Sequence, residues 1–351
     1  MKEWMKNLRD IEPYVPGEQP QETNIIKLNT NESPFPPSPK VKEAITNFNT
    51  DTLRKYPSFV CPELKAALKE NYPVSDTELF LGNGSDEVLA LCFMTFFNSD
   101  KPILFPDVTY SFYPVWCSLY NIPYETIPLD ENFNIRCEDY YKPNGGVVIT
   151  NPNAPTGIYM PLEKIEDIIS HNRDVIVIVD EAYIDFGGKS AVELIHKYDN
   201  LVVVQTYSKS RNLAGIRVGY AAMQMELTAA LEAVKNSFNS YTLNSISQAA
   251  AAAAALDKDY FKKCTGEIVK NRAYTVSELD KLGFKTLPSM ANFIFTTHPD
   301  YSGEELFNFL KSKNIYVRHF NKPRINEYLR ITIGSGEEMT SLVSALKEYI
   351  K

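Results

Sequence analysis

Along the first three quarters of the chain, short apolar runs alternate with longer stretches in which apolar residues recur at helical spacing. Val175-Ile-Val-Ile-Val179 reads as a strand buried on both faces, and Gly146-Val-Val-Ile-Thr150, Ile103-Leu-Phe105 and Leu201-Val-Val-Val204 read as further apolar strands. Leu79-Phe-Leu-Gly82 reads as a strand that passes through a glycine turn into a helix over Val88 to Phe97. From about 26 to 265 this alternation predicts a large α/β domain built on a mainly parallel sheet with both faces covered. Residues 1–25, rich in proline and charge, predict an arm outside that core. Seven consecutive alanines, 249 to 255, have high helix propensity and predict a closely packed helix.

Beyond about 266 the order of elements changes. A helix is expected over Glu267 to Leu282 and a strand over Ala291 to Thr297, followed by a helix at 303–313. Strands around Ile315 to Phe320 and Leu329 to Ile333 and a closing amphipathic helix from Glu337 complete a small α+β domain over 266–351. No internal repeat interrupts this plan.

The bulk properties narrow the class. With 351 residues, 44% of them hydrophobic, the chain exceeds the size at which single cores stop growing, so about two domains are expected. No segment approaches ~18 consecutive apolar residues, and the opening Met-Lys-Glu-Trp-Met-Lys is too charged for a signal peptide, which predicts a soluble, cytoplasmic protein without membrane contact. Five scattered cysteines without a C-x-x-C pair predict reduced thiols, and four histidines without ligand spacing predict no metal site. A net charge of −8 argues against a nucleic-acid partner. A negative molecule that handles anionic substrates must concentrate its arginines locally, and Arg217, Arg318 and Arg330 are candidates.

The candidate chemistry lies where predicted strands end, the edge at which open α/β sheets bind ligands. Lys209, in Thr-Tyr-Ser-Lys-Ser, follows the 201–204 run, and Arg217 comes eight residues later. That layout suits an amine that condenses with pyridoxal phosphate beside a cation that holds the phosphate. A lysine alone says little, since most are solvated, and its company carries the reading. Asp180, at the end of the 175–179 strand, could pair with the cofactor's ring nitrogen, or simply cap the next helix. Asn153, in the turn Asn151-Pro-Asn-Ala-Pro-Thr-Gly157, could donate to the cofactor's phenolic oxygen. Gly84, Ser85 and Asp86 open a helix whose free N–H groups would favour an anion. Tyr110 and Tyr183 gain weight from their positions after strands, since an aromatic ring there could stack on a cofactor. Gly187-Gly-Lys-Ser190 imitates the end of a phosphate loop, but Tyr183 stands where its first glycine belongs. Arg318 could also be only the outward residue of an alternating strand.

Together these residues resemble the fold-type I pyridoxal-phosphate aminotransferases, in the same order over nearly the whole chain. Pro13-Tyr14-Val-Pro-Gly17, Lys27-Leu-Asn-Thr-Asn-Glu32, Ser38 to Ala44, Tyr56-Pro57, Gly82 to Glu87 and Tyr328 to Gly334 are most similar to the branch that acts on histidinol phosphate. The resemblance implies that Lys209 carries the cofactor and shuttles a proton, and that Asp180 holds the pyridinium. It places Tyr183 and Asn153 at the phenolic oxygen and Tyr110 on the ring face. Gly84, Ser85, Asp86, Ser208 and Arg217 would surround the phosphate, with Tyr56 reaching it from a second subunit. Arg330 would clamp the carboxylate of an amino donor or the phosphate of a phosphorylated substrate, helped by Arg318 and Tyr14. It further implies a homodimer that passes an amino group between a small donor and a keto acceptor. Ser210-Arg-Asn212, Ser33-Pro-Phe-Pro-Pro37 and Ser58-Phe-Val-Cys61 depart from the family's usual residues near the site. They leave an aromatic amino acid aminotransferase and a threonine-phosphate decarboxylase-like lyase as alternatives. A cofactor-binding regulator would need an added DNA-binding domain or the loss of Lys209, and the chain has neither.

Overall fold

The computed structural model describes residues 2–20 and 24–350, so the arm expected over 1–25 lies partly outside it. In chain order the strands are β1 (Ile26–Lys27), β2 (Leu79–Gly82), β3 (Ile103–Pro106), β4 (Tyr124–Ile127), β5 (Gly146–Thr150), β6 (Val177–Asp180), β7 (Leu201–Thr206), β8 (Gly219–Met223), β9 (Lys285–Thr286), β10 (Phe293–Thr297), β11 (Ile315–Tyr316), β12 (Arg318–His319) and β13 (Leu329–Thr332). The α-helices are α1 (Pro39–Thr46), α2 (Pro62–Lys69), α3 (Gly84–Phe96), α4 (Tyr113–Tyr120), α5 (Leu162–His171), α6 (Met225–Phe238), α7 (Ser245–Leu256), α8 (Lys258–Asp280), α9 (Gly303–Ser312) and α10 (Gly336–Tyr349).

Seven strands form the large sheet in the order β2-β8-β7-β6-β5-β3-β4. Pairings among β7, β6, β5, β3 and β4 are parallel, and β8 alone runs against its neighbours β7 and β2. Every residue of β2, β3, β5, β6, β7 and β8 is buried, as expected of strands without polar alternation that are covered on both faces. One face packs on α3, α4 and α6 through Val88, Phe93, Trp116 and Leu231. The other packs on α2, α5 and α7 through Leu64, Ile165, Ala250 and Ala254.

This arrangement brings the carboxyl ends of β2, β3, β5, β6 and β7 to one edge, together with the start of β8. The alanine run does form a helix, capped by the Asn244 side chain on the Ser247 N–H at 2.8 Å. Its buried face (Ala250, Ala251, Ala254, Ala255) has no side chains long enough to hold α1 and α2 away.

The smaller unit is a four-stranded antiparallel sheet, β12-β13-β10-β9, covered by α8, α9 and α10. The helix expected from Glu267 starts at Lys258 and runs unbroken through 265/266, so the large and small units share one rigid element. At the other end of the chain, β1 pairs in parallel with β11, and Leu28 is buried with Phe293, Ile331 and Ile333. The chain therefore enters the small unit before it builds the large sheet, and residues 26–28 pack with the C-terminal residues. Among the described residues, no helix is long and apolar enough to cross a membrane.

Candidate active site

A cavity of about 610 Å³ opens at the carboxyl edge of the large sheet, roofed by the small unit and by Tyr14, Pro16 and Gly17 of the N-terminal segment. Its lining contains Tyr14, Ser85, Asp86, Tyr110, Asp180, Tyr183, Ser208, Lys209, Arg217, Arg318 and Arg330. These residues are spread over 317 positions of sequence, and the sheet topology is what gathers them.

Lys209 lies just past β7, and its Nζ donates to the Thr30 carbonyl at 3.2 Å. The amine also sits 5.8 Å from the centre of the Tyr183 ring. Burial, reinforced by the charge of Arg330, pulls its pKa down to about 8. A substantial neutral fraction near physiological pH makes this amine a nucleophile and a proton carrier, which an ordinary surface lysine is not.

Asp180 ends β6 and is 3% exposed. Its Oδ2 accepts from the Tyr113 hydroxyl at 2.8 Å and its Oδ1 from the Ala182 N–H at 3.2 Å. Burial pushes its pKa up to about 6 in spite of those two donors. No cation pairs with it among the described residues, so this carboxylate, facing a cavity, suits a protonated heterocyclic nitrogen. The capping alternative is partly right as well, because the Ala182 contact is a local turn.

A third cluster suits an oxyanion. Helix α3 starts at Gly84 without a side-chain cap, leaving the N–H groups of Ser85 and Asp86 at the cavity. Gly84 has φ +83°, and a Cβ there would lie 2.4 Å from the Arg217 Nη2 atom, so the glycine makes room for the guanidinium. A Cβ on Gly219 would lie 2.4 Å from the Ser85 nitrogen, which explains the second glycine where β8 passes the helix start. Arg217 itself is left-handed, φ +57°, a conformation that aims its side chain back across Gly84 toward Ser208 Oγ at 3.5 Å and Asp86 Oδ2 at 3.4 Å. The Asp86 carboxylate accepts from the Tyr110 hydroxyl at 2.9 Å through Oδ1 and pairs with Arg217 through Oδ2, so Asp86 would face an anion through its backbone N–H.

On the opposite wall Arg318 and Arg330 are cross-strand partners on β12 and β13. As the alternation predicts, Leu329 and Ile331 point into the core while Arg330 reaches the cavity. Its Nη2 donates to the Asn29 carbonyl at 2.9 Å, while Nε is buried without a partner among the described residues. The Phe293 and Phe320 rings lie 5.5 Å from its guanidinium, and Phe320 also lies 5.4 Å from that of Arg318. Two guanidinia flanked by rings, one with an N–H unpartnered among the described residues, suit a carboxylate or phosphate.

Two expected residues are elsewhere. Asn153 does not line this cavity: its amide group donates to the Val108 carbonyl at 2.9 Å and to Thr156 Oγ1 at 3.1 Å, and it accepts from Thr109 Oγ1 at 2.9 Å. It braces the 151–157 turn against the Tyr110 loop. Tyr56 is 81% exposed and stacks on Tyr241 at 4.6 Å, away from the lining of the same chain's cavity.

Sequence reasoning missed Tyr113, which carries Asp180, and Asn31, which donates to the Tyr183 hydroxyl at 3.0 Å. Tyr113 is one of 21 tyrosines and has no local signal. Asn31 lies in the Lys27–Glu32 motif and has φ +56°, a turn geometry its residue type tolerates. Phe320 and Thr30 were missed for the same reason: one packs and the other acts through its backbone.

The arrangement around this cavity suits a transferase that works through pyridoxal phosphate. The sequence profile of aminotransferase class I and II matches residues 23–346, and the chain belongs to that family. It is 53% identical over 349 residues to the histidinol-phosphate aminotransferase of Clostridium botulinum (strain Langeland), with 99% of each chain covered. To the protein of the same description from Acinetobacter baylyi it is 51% identical, covering 100% of this chain and 98% of that one. In structure it is similar to the histidinol-phosphate aminotransferase of Clostridium acetobutylicum, with TM-score 0.85, 25% identity, and 93% and 99% of the two chains covered. The Sinorhizobium meliloti enzyme of that description, solved in complex with pyridoxal-5′-phosphate, gives TM-score 0.84 at 25% identity, with 93% and 90% covered.

Proposed function

We propose that this protein uses pyridoxal phosphate to transfer the amino group between L-histidinol phosphate and 2-oxoglutarate, giving imidazole acetol phosphate and L-glutamate in histidine biosynthesis. The carrying observation is one cavity with Lys209 and Asp180 beside the Arg217 cradle, facing the Arg318–Arg330 pair. Relatives at 50 to 53% identity over the full length bear the histidinol-phosphate aminotransferase description.

The residues fit the cofactor. Pyridoxal phosphate, when bound, supplies an electron sink for the bonding pair released at the substrate α-carbon. Asp180, supported by Tyr113, keeps the ring nitrogen protonated. Arg217, Ser208 and the N–H groups at the start of α3 would hold the phosphate, and Tyr110 would cover a ring face. Tyr183, its oxygen already oriented by Asn31, faces the phenolic oxygen. Lys209 would hold the cofactor through its amine and would move the proton at the substrate α-carbon, a task suited to an amine that burial pulls down to about 8. Arg330 and Arg318 grip the α-carboxylate of glutamate in one half-reaction and the phosphate of histidinol phosphate in the other, with Tyr14 on the wall beside them.

The active unit in this reading is a homodimer. Tyr241 stacks on Tyr56 and meets Phe59 edge-on, an exposed aromatic cluster, with Leu53, Val60 and Phe238 also exposed. A second copy would cover these rings and bring Tyr56 to the phosphate of its neighbour's cofactor. Five unpaired, buried cysteines suit a reducing cytoplasm.

A half-reaction screen tests the reading: histidinol phosphate, glutamate, phenylalanine and phosphothreonine are added singly to the loaded enzyme, and loss of the lysine-bound cofactor's visible absorbance is followed. Histidinol phosphate and glutamate should both convert it, and 2-oxoglutarate should restore it. Conversion by phenylalanine alone, or carbon dioxide release from phosphothreonine, would overturn the substrate assignment.

A further inference from the structure

The loop of residues 320–328 joins β12 to β13, the two strands that carry the arginine clamp, and it extends past the cavity wall to the large unit. Arg324, at its far end, is left-handed with φ +69°, a conformation strained for a residue with a Cβ. Its Nη1 donates to Asp107 Oδ2 at 3.0 Å, and its Nη2 donates to the carbonyls of Leu129 at 3.2 Å and Asp130 at 2.8 Å. The guanidinium also lies 5.1 Å from the centre of the Phe133 ring. All four partners belong to the large unit, and all the donors belong to the clamp hairpin.

The receiving side is rigid. Asp107 Oδ1 accepts from the Leu129 N–H at 3.0 Å, which ties the two receiving segments together. The 130–134 turn is closed by backbone bonds from Phe133 N–H to the Asp130 carbonyl at 3.0 Å and from Asp130 N–H to the Asn134 carbonyl at 2.9 Å. Beneath the guanidinium, Val108, Leu129 and Phe133 of the large unit pack with Phe295 and Ile325 of the small one.

Each end of this contact leads to the cavity. Asp107 precedes Tyr110 by three residues, and Arg324 follows Phe320, which packs against both clamp guanidinia, by four. Surface ion pairs are ordinarily weak. This one combines a two-pronged guanidinium with three fixed oxygens and a strained backbone, an arrangement that persists only where surrounding contacts enforce it.

We infer that Arg324 is a positioning residue: by clasping the β12–β13 hairpin to the loop that carries Tyr110, it sets where the Arg318 and Arg330 guanidinia stand relative to the cofactor face. The inference deepens the transaminase reading and rests on its assignment of those arginines as the substrate-anion clamp.

The test compares the holoenzyme with Arg324→Ala, Arg324→Lys and Asp107→Asn. Maleate, a dicarboxylate without an amino group, is titrated into each by calorimetry, and cofactor affinity is measured separately. The clasp predicts that the maleate Kd rises about tenfold in Arg324→Ala and less in the other two, while cofactor affinity stays constant. Unchanged maleate affinity in the folded variants would overturn it, as would an equal loss of maleate and cofactor affinity, which marks general loosening. Should Arg324→Ala fail to fold, the lysine and asparagine variants are read by the same criterion. Wild-type enzyme that neither transaminates nor binds maleate in competition with glutamate would bring down the functional reading itself; wild type that does both, with variants that match it, would bring down the clasp alone.

Discussion

Asp180 and Lys209 are each in an environment that opposes their charge, and both would be liabilities in a protein without a ligand between them. A carboxyl whose folded-state pKa lies above its unfolded value favours the fold at low pH, and that contribution is lost as pH rises from its ordinary 3.8 to about 6. At neutral pH the ionised Asp180 therefore costs stability. Asp180→Asn should make the cofactor-free protein more stable by roughly 1 to 3 kcal/mol at pH 7.5, and the gain should vanish near pH 4, which denaturant melts at the two pH values would show. The same variant should lose most transamination, because a neutral amide cannot hold a pyridinium charge. Near-normal turnover would mean that Asp180 serves only its local turn. Lys209 gives a kinetic counterpart. Since its pKa is pulled to about 8, the cofactor-free protein should capture pyridoxal phosphate faster as pH rises through 8 and then level off, measured by stopped-flow absorbance. A rate still climbing steeply between pH 9 and 10 would show that the amine is not depressed.

At the scale of single elements, β13 shows how far alternation can be read. The Tyr-Leu-Arg-Ile-Thr-Ile pattern puts Arg330 opposite Leu329 and Ile331, and the structure has that arrangement. Arg330→Lys keeps the charge but loses the two-pronged geometry. It should lower kcat/KM for both half-reactions by one to two orders of magnitude, about 1.5 to 3 kcal/mol for a charge-assisted contact, with cofactor affinity unchanged. Loss confined to the keto-acid half-reaction would make Arg318 the principal anion ligand. Five of the seven large-sheet strands and the alanine helix were legible because their burial is written in apolar runs, whereas β4, exposed at three of its four residues, and β8, short and rich in small residues, carried no such signal. What could not be read were contacts made by backbone or by packing: the Thr30 carbonyl on Lys209, the Tyr113 hydroxyl on Asp180, and the Asn153 amide turned to Val108 and Thr156. The extent of α8 was also hidden, since Lys258 to Thr265 lacks any signal that would separate the two units.

For the whole molecule, the order of the motifs along the chain was legible, but the crossing of the chain at its start was not. A two-residue strand such as Ile26–Lys27 has too little pattern to announce its pairing with Ile315–Tyr316. Tyr56 poses the corresponding question between subunits, since it is solvent-facing in one chain and belongs, in the proposed dimer, to the neighbour's phosphate site. Tyr56→Ala should then weaken cofactor binding by about ten- to a hundredfold, as expected for a lost hydrogen bond to a charged group. Subunit mixing makes the prediction strict. Homodimers of Tyr56→Ala and of Lys209→Ala are each impaired, but in a mixed dimer one site combines Lys209 from the first chain with Tyr56 from the second, and the other site has neither. Equal amounts, dissociated and reassociated at random, yield half mixed dimers with one intact site each, so about a quarter of wild-type activity per subunit should return at limiting cofactor. If Tyr56 serves its own chain, every Lys209-bearing site still lacks the tyrosine, and mixing should restore nothing above the average of the two parents.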